Sequence, residues 1–186
     1  MKTLEKNTVN SKKTARFLVL LPHRDSLKLL QDYKLKLFAG GYKGALSFPP
    51  VAPLAVLSRC LNREELKKTA HVIRDASLKN NGKITAGKND FIQSPELCFF
   101  GPILDLQCAD LAAAFPCEKI IKVFPKTLLC AALADASGLE QFPAEPEPFS
   151  FGAAMVTNLV IRPLASGASA FSFEWRLGPE CWLPGR

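Results

Sequence analysis

The sequence predicts an α+β protein built on mostly antiparallel sheet, and three observations carry that expectation. Short apolar runs with the length of buried strands alternate with two segments whose apolar residues recur at helical spacing. Near the C-terminus, two strand-like runs flank a turn of small residues, as in a hairpin. The chain has 186 residues, of which 48% are hydrophobic and 13 are Phe. A chain of that size buries about 70% of its unfolded surface, enough for one core.

Residues 1–15 are polar and Lys-rich and read as a flexible basic tail, leaving 16–186 as a single domain. Phe17-Leu18-Val19-Leu20-Leu21, closed by Pro22, suits a buried strand. Asp25 is placed to cap a helix that runs to about Phe38, with Leu27, Leu30, Tyr33 or Lys34, and Leu37 on one face. Gly40 and Gly41 end it. Phe48-Pro49-Pro50 leads into a strand expected to begin near Leu54, because the prolines cannot donate to a ladder. Asn62 and Glu65 have the spacing of a capping box, opening a helix with Leu66, Ala70, Ile73 and Ser77 on one stripe. Asn80-Asn81-Gly82 stops it.

Residues 84–93 and 97–106 form the next two strands, around Ser94-Pro95-Glu96, and a short helix covers 108–115. Residues 135–149 are acidic and Pro-rich and read as a surface loop. Residues 155–164 and 171–177 form the closing hairpin.

The formal charge of +7 is unevenly spread. Residues 1–90 hold 18 Lys or Arg against seven Asp or Glu, a balance of +11; residues 91–186 hold six against ten, a balance of −4. A polarised basic surface attracts polyanions, although a solvated lysine face has the same composition. The six cysteines (Cys60, Cys98, Cys108, Cys117, Cys130 and Cys181) contain no C-x-x-C pair, and His23 and His71 are the only histidines. That set does not make a zinc site, so no metal and no cofactor is expected, and the thiols read as reduced in a cytoplasmic protein. The apolar run 17–22 is shorter than a signal-peptide core. No stretch approaches the ~20 apolar residues of a membrane helix, so no membrane partner is expected. Gly40-Gly41-Tyr42-Lys43-Gly44 follows a helix and precedes a strand, the wrong order for a phosphate loop.

One internal echo spans the chain. Phe124-Pro125-Lys126 stands 76 residues after Phe48-Pro49-Pro50 and leads into a second apolar strand over 127–133. Each lead reads as preceded by a helix. With these leads, the element order and the late segment Phe171-Ser172-Phe173-Glu174-Trp175-Arg176-Leu177-Gly178, residues 16–184 resemble the two-histidine phosphoesterase superfamily, which includes the 2′-5′ RNA ligase-like cyclic phosphodiesterases. The resemblance implies a monomer with two pseudo-symmetric lobes of mostly antiparallel sheet and flanking helices around a central groove. It also implies a His-x-Thr or His-x-Ser motif on one strand of each lobe, one imidazole acting as base and the other as acid.

Those positions hold no histidine here. The first strand offers Ala52-Pro53-Leu54 or Val51-Ala52-Pro53, and the second Lys126-Thr127-Leu128 or Thr127-Leu128-Leu129. His23 and His71 fall on unrelated elements. The expectation is therefore a catalytically degenerate relative that binds RNA or a phosphorylated nucleotide. Ser58 and Arg59 from one echo strand and Lys126 and Thr127 from the other would face the ligand, with Arg162 and Arg176 adding charge. Trp175 and Trp182 are candidates for base stacking. Two alternatives remain open at this level: a phosphodiesterase of non-histidine mechanism using Lys126 and Thr127, and a protein-interaction domain that presents the acidic loop 139–149.

Overall fold

The computed structural model describes residues 14–40, 45, 46, 48–79, 84–93, 98–104, 118–128, 132–134, 150, 151, 153–163 and 173–182. The chain runs β1 (Ala15–Pro22), α1 (Arg24–Ala39), β2 (Ala52–Leu57), α2 (Arg63–Lys79), β3 (Ile84–Gln93), β4 (Cys98–Leu104) and β5 (Ile120–Val123). It continues through β6 (Thr127–Leu128), β7 (Ala132–Ala134), β8 (Ser150–Phe151), β9 (Ala153–Pro163) and β10 (Phe173–Trp182). This is the α+β class, with every described strand pairing antiparallel. One sheet has the order β10-β9-β1-β2-β5; the other has the order β6-β4-β3-β8, with β7 also paired to β4.

β1 is apolar on both faces because both are covered. Leu18 and Leu20 pack with Leu30, Tyr33 and Leu37 of α1 and Leu66, Ala70 and Ile73 of α2. Phe17, Val19 and Leu21 face the other way, into a cluster with Phe99, Phe124 and Leu128. Strand alternation thus divides one apolar run between two cores. Of the expected stripes, Leu30, Leu37, Leu66, Ala70 and Ile73 are buried, as are both Tyr33 and Lys34, while Leu27 is half-buried and the Ser77 side chain lies outside the described residues. The Lys34 ammonium donates to the Phe48 carbonyl, tying α1 to the proline-rich lead.

Several boundaries differ from expectation, each for a local reason. α1 begins two residues earlier than an Asp25 cap implies: the His23 carbonyl accepts from the amides of Ser26 and Leu27, both at 3.0 Å, so His23 is the residue before the first turn. β2 begins at Ala52, with Pro53 opposite Val19 in the β1 ladder. On the other side, β5 pairs only from Ala55 onward, so the missing Pro53 amide interrupts no β5 ladder bond. Leu54 is the extra residue of a bulge there, which turns both Leu54 and Ala55 toward the helices.

The second lead, Phe124-Pro125-Lys126, follows a strand and not a helix. Ile120-Ile121-Lys122-Val123 is rich in β-branched residues and pairs with β2 as β5. The single strand expected over 127–133 is two short ones, β6 and β7, both paired to β4. The two echo strands therefore lie in different sheets. The closing hairpin is present and longer than expected. The stop at 80–82, the turn 94–96, the helix over 108–115 and the loop 135–149 lie outside the described residues.

Phe99 of β4 joins the two sheets. Its ring lies 5.0 Å from Phe17 edge-on, 5.8 Å from Phe48 and 6.3 Å from Phe124. The phenylalanines of both leads thus dock on one ring, and edge-to-face contacts at these distances add to simple area burial. Phe99→Ala should lower unfolding stability by about 3–5 kcal/mol, read from urea melts. Phe91→Ala, on an exposed position of β3, should change it by less than ~0.5 kcal/mol. Equal effects would remove Phe99 from this role.

Candidate functional site

The positions matching the family's motif are apolar or already engaged. Val51 and Leu128 are fully buried and belong to the cluster between the sheets. Ala52 belongs to the helix-side cluster. Lys126 forms an ion pair with Asp90 of β3. Burial pushes the Asp90 carboxyl up, but the Lys126 hydrogen bond, the Phe91 amide and the Lys126 charge outweigh it and leave the carboxyl below its ordinary value. Thr127 lies in β6, and its side chain is outside the described residues. His23 is exposed at the start of α1, and His71 is exposed on α2. Imidazoles at these places do not form the base-and-acid pair that the family's chemistry needs.

The remaining expected ligand residues gather at another place, the end of the five-stranded sheet. β2 leaves the sheet at Leu57, and Ser58 and Arg59 follow, both exposed. The Ser58 amide and hydroxyl both donate to the Lys119 carbonyl, at 2.9 and 3.1 Å. Arg162 stands opposite Glu174 across the β9–β10 ladder, and Arg176 stands opposite Val160. Val160 is also opposite Arg16 of β1, a residue not singled out in the sequence. Ser58, Arg59, Arg162 and Arg176 therefore share one sheet end with Arg16, while Lys126 contacts the other sheet.

Polar ties hold this end in shape. The capping box forms as spaced: the Asn62 amide donates to Glu65 Oε2 at 2.7 Å, and the Glu65 amide donates to Asn62 Oδ1 at 3.0 Å. Lys119 then donates to both carboxylate oxygens of Glu65, to Oε2 at 2.6 Å. The Lys119 hydrogen bond, followed by the Asn62 amide, holds the Glu65 carboxyl below its ordinary value; burial opposes them, and the charges of Lys119 and Arg59 add to them.

Asn158 of β9 is fully buried and mimics a strand partner for the loop before α2. Its Oδ1 accepts from the Leu61 amide, and its Nδ2 donates to the Leu61 carbonyl, each at 2.9 Å. Next to it, the Thr157 hydroxyl donates to the carbonyls of Gly178 and Pro179 at 3.1 and 2.9 Å, where β10 bulges. A Cβ on Gly178 would lie 3.2 Å from Asn158 Cβ, so a larger residue there would require Asn158 to give by a few tenths of an ångström. Sequence reasoning missed Asn158, Thr157 and Arg16. The one available signal was a polar Thr-Asn pair inside the apolar run of β9.

Cys60, in the loop between β2 and α2, is an exposed free thiol. Among the described residues, no three His, Cys, Asp or Glu gather as a metal-binding group. No helix among them is long and apolar enough to cross a membrane.

The lowered Glu65 value sets a pH dependence. Its contribution to stability is present above the unfolded value near 4.5 and is lost as pH falls through the lower folded value. The urea midpoint of the wild type should exceed that of Glu65→Gln near neutral pH. The gap should stay constant down to about pH 5 and narrow below it. A gap independent of pH would mean that the Lys119 pair is not what lowers Glu65.

No family model, curated protein or solved structure matches the chain significantly.

Proposed function

We propose that the chain is a catalytically degenerate relative of the two-histidine phosphoesterases that binds RNA or a phosphorylated nucleotide. In this reading the two sheets correspond to the family's two pseudo-symmetric lobes, and their facing surfaces to its central groove. The observation that carries the loss of catalysis is the occupancy of the motif positions. Val51 and Leu128 are buried among apolar side chains, and Lys126 is held by Asp90. A general base typically contributes 10²–10⁴-fold, and neither motif supplies one. The Lys126–Asp90 pair also weighs against a non-histidine phosphodiesterase built on Lys126, since the amine is already engaged by a carboxylate of the neighbouring strand.

Binding without turnover is favoured by the charge imbalance of the first half of the chain and by the arginines at the sheet end. Affinity for a short RNA should fall steeply with salt, the logarithm of the binding constant dropping by about 0.7 per phosphate contacted for each log unit of salt. The same protein should hydrolyse a 2′,3′-cyclic phosphate RNA no faster than buffer, and His23→Ala should change nothing. Turnover that is lost in His23→Ala would overturn the degenerate reading. Absence of RNA or nucleotide binding at low salt would overturn the binding reading.

A further inference from the structure

Among the described residues, some cations meet a carboxylate and others, such as Arg59, Arg63, Lys88 and Lys122, do not, so strand register rather than lack of a partner is what gathers a site. Lys67, Arg74, Lys119 and Lys126 each meet a carboxylate, those of Glu64, Asp75, Glu65 and Asp90 respectively. Arg16, Arg162 and Arg176 do not: among the described residues, none forms an ion pair with any of the three. Strand register then gathers these three guanidinium groups. Arg16 and Arg176 stand on either side of Val160, two strand spacings or about 9.5 Å apart at the backbone. Arg162 lies two residues further along β9, diagonal to both, at about 7–8 Å.

All three project from one face. Alternation along β1 and β9 puts Arg16 and Arg162 on the side of Leu18, Leu20, Val156 and Asn158, the side that α1 and α2 cover. Among the described residues, that cover thins toward the arginines. The loop before α2 is held over Asn158 through Leu61, and outward along β9 the residues of this face pass from buried Asn158 to half-buried Val160 to exposed Arg162. Arg176 on the edge strand β10 is exposed as well. Arg59 leaves β2 at the same end.

We infer that this arginine face, at the end of the five-stranded sheet, is where single-stranded RNA docks through successive phosphates, and that the space between the sheets is not. The inference rests on the RNA-binding reading above and names its surface and the form of its ligand. A mononucleotide site is concave and buries most of its ligand, whereas Arg162 and Arg176 are exposed on a strand face with Arg16 half-buried beside them. An open cationic row draws its affinity from several phosphates at once, each releasing condensed counterions. Guanidinium also grips phosphate oxygens in pairs. Trp175, 40% exposed between Glu174 and Arg176 on the edge strand, offers a ring on which a base turned over the edge can stack. Glu174, directly opposite Arg162, is a carboxylate within the row and opposes phosphate.

The test is fluorescence anisotropy of a labelled oligouridine with the full chain at two salt concentrations. Arg162→Glu and Arg176→Glu should each weaken binding about tenfold or more and flatten the salt dependence. Glu174→Gln should tighten binding severalfold, a gain that a purely structural role does not give. Lys88→Glu, an exposed cation on β3, and Lys126→Gln should stay within about twofold of wild type, and uridine monophosphate should not compete at about millimolar concentration. Unchanged circular dichroism qualifies each variant, with Arg176→Gln as the milder substitute if Arg176→Glu unfolds.

If the wild type does not bind RNA at low salt, the RNA-binding reading and this surface both fall. If it binds but the two arginine reversals behave like wild type, or if Lys126→Gln or Lys88→Glu costs as much as they do, only the surface falls. Competition by the mononucleotide, or no gain from Glu174→Gln, also overturns the extended-strand assignment.

Discussion

The Phe99 ring is the constraint on which the arrangement of the two sheets depends. Phe17 comes from the central strand of one sheet, Phe99 from the other, and Phe48 and Phe124 from the two proline-containing leads. All four are buried. Aromatic rings in edge and tilted contact tolerate little relative displacement, because interior packing is close to crystalline. This junction therefore fixes how β1 faces β4, and with it where each lead enters its strand. It also has a chemical consequence. The surfaces that meet around Phe99 are lined by Val51, Leu128 and phenylalanine, and imidazoles placed there would need partners that the apolar lining does not supply.

Polar groups do their positioning away from that junction. Asn158 substitutes for a strand by offering one acceptor and one donor to Leu61, so the chain between β2 and α2 is anchored without a ladder of its own. Thr157 and Gly178 shape the adjacent bulge of β10. Glu65 connects three features at once, capping its own helix through Asn62 and receiving Lys119 from the turn before β5. Buried polar contacts of this kind specify geometry because an unsatisfied partner would be costly. The sheet end beside them carries exposed Arg162 and Arg176 and half-buried Arg16.

Charge alone would not have singled out that end. The chain has many lysines and arginines, and several contact carboxylates that offset them locally. Lys126 stands in the second lead, where a catalytic motif would be. Its partner Asp90 comes from a strand 36 residues earlier. Arg16 is the one charged residue of an otherwise apolar strand, and nothing around it in sequence marks a ligand.

The sequence by itself determined the local units. The helical stripe of Leu30, Tyr33 and Leu37, the Asn62–Glu65 box, the apolar run of β1 and the late hairpin all follow from periodicity, capping chemistry and turn residues, which act over a few positions. Only the tertiary structure decided which strands are neighbours and in what register. That β5 pairs with β2, that Leu54 bulges, that Lys126 meets Asp90, and that Val160 stands between Arg16 and Arg176 each depend on contacts between distant segments. The physical reason is that a strand's alternation fixes which side chains share a face but not what lies opposite them. A shift of one residue inverts the face, and only the summed packing of both cores selects among the registers.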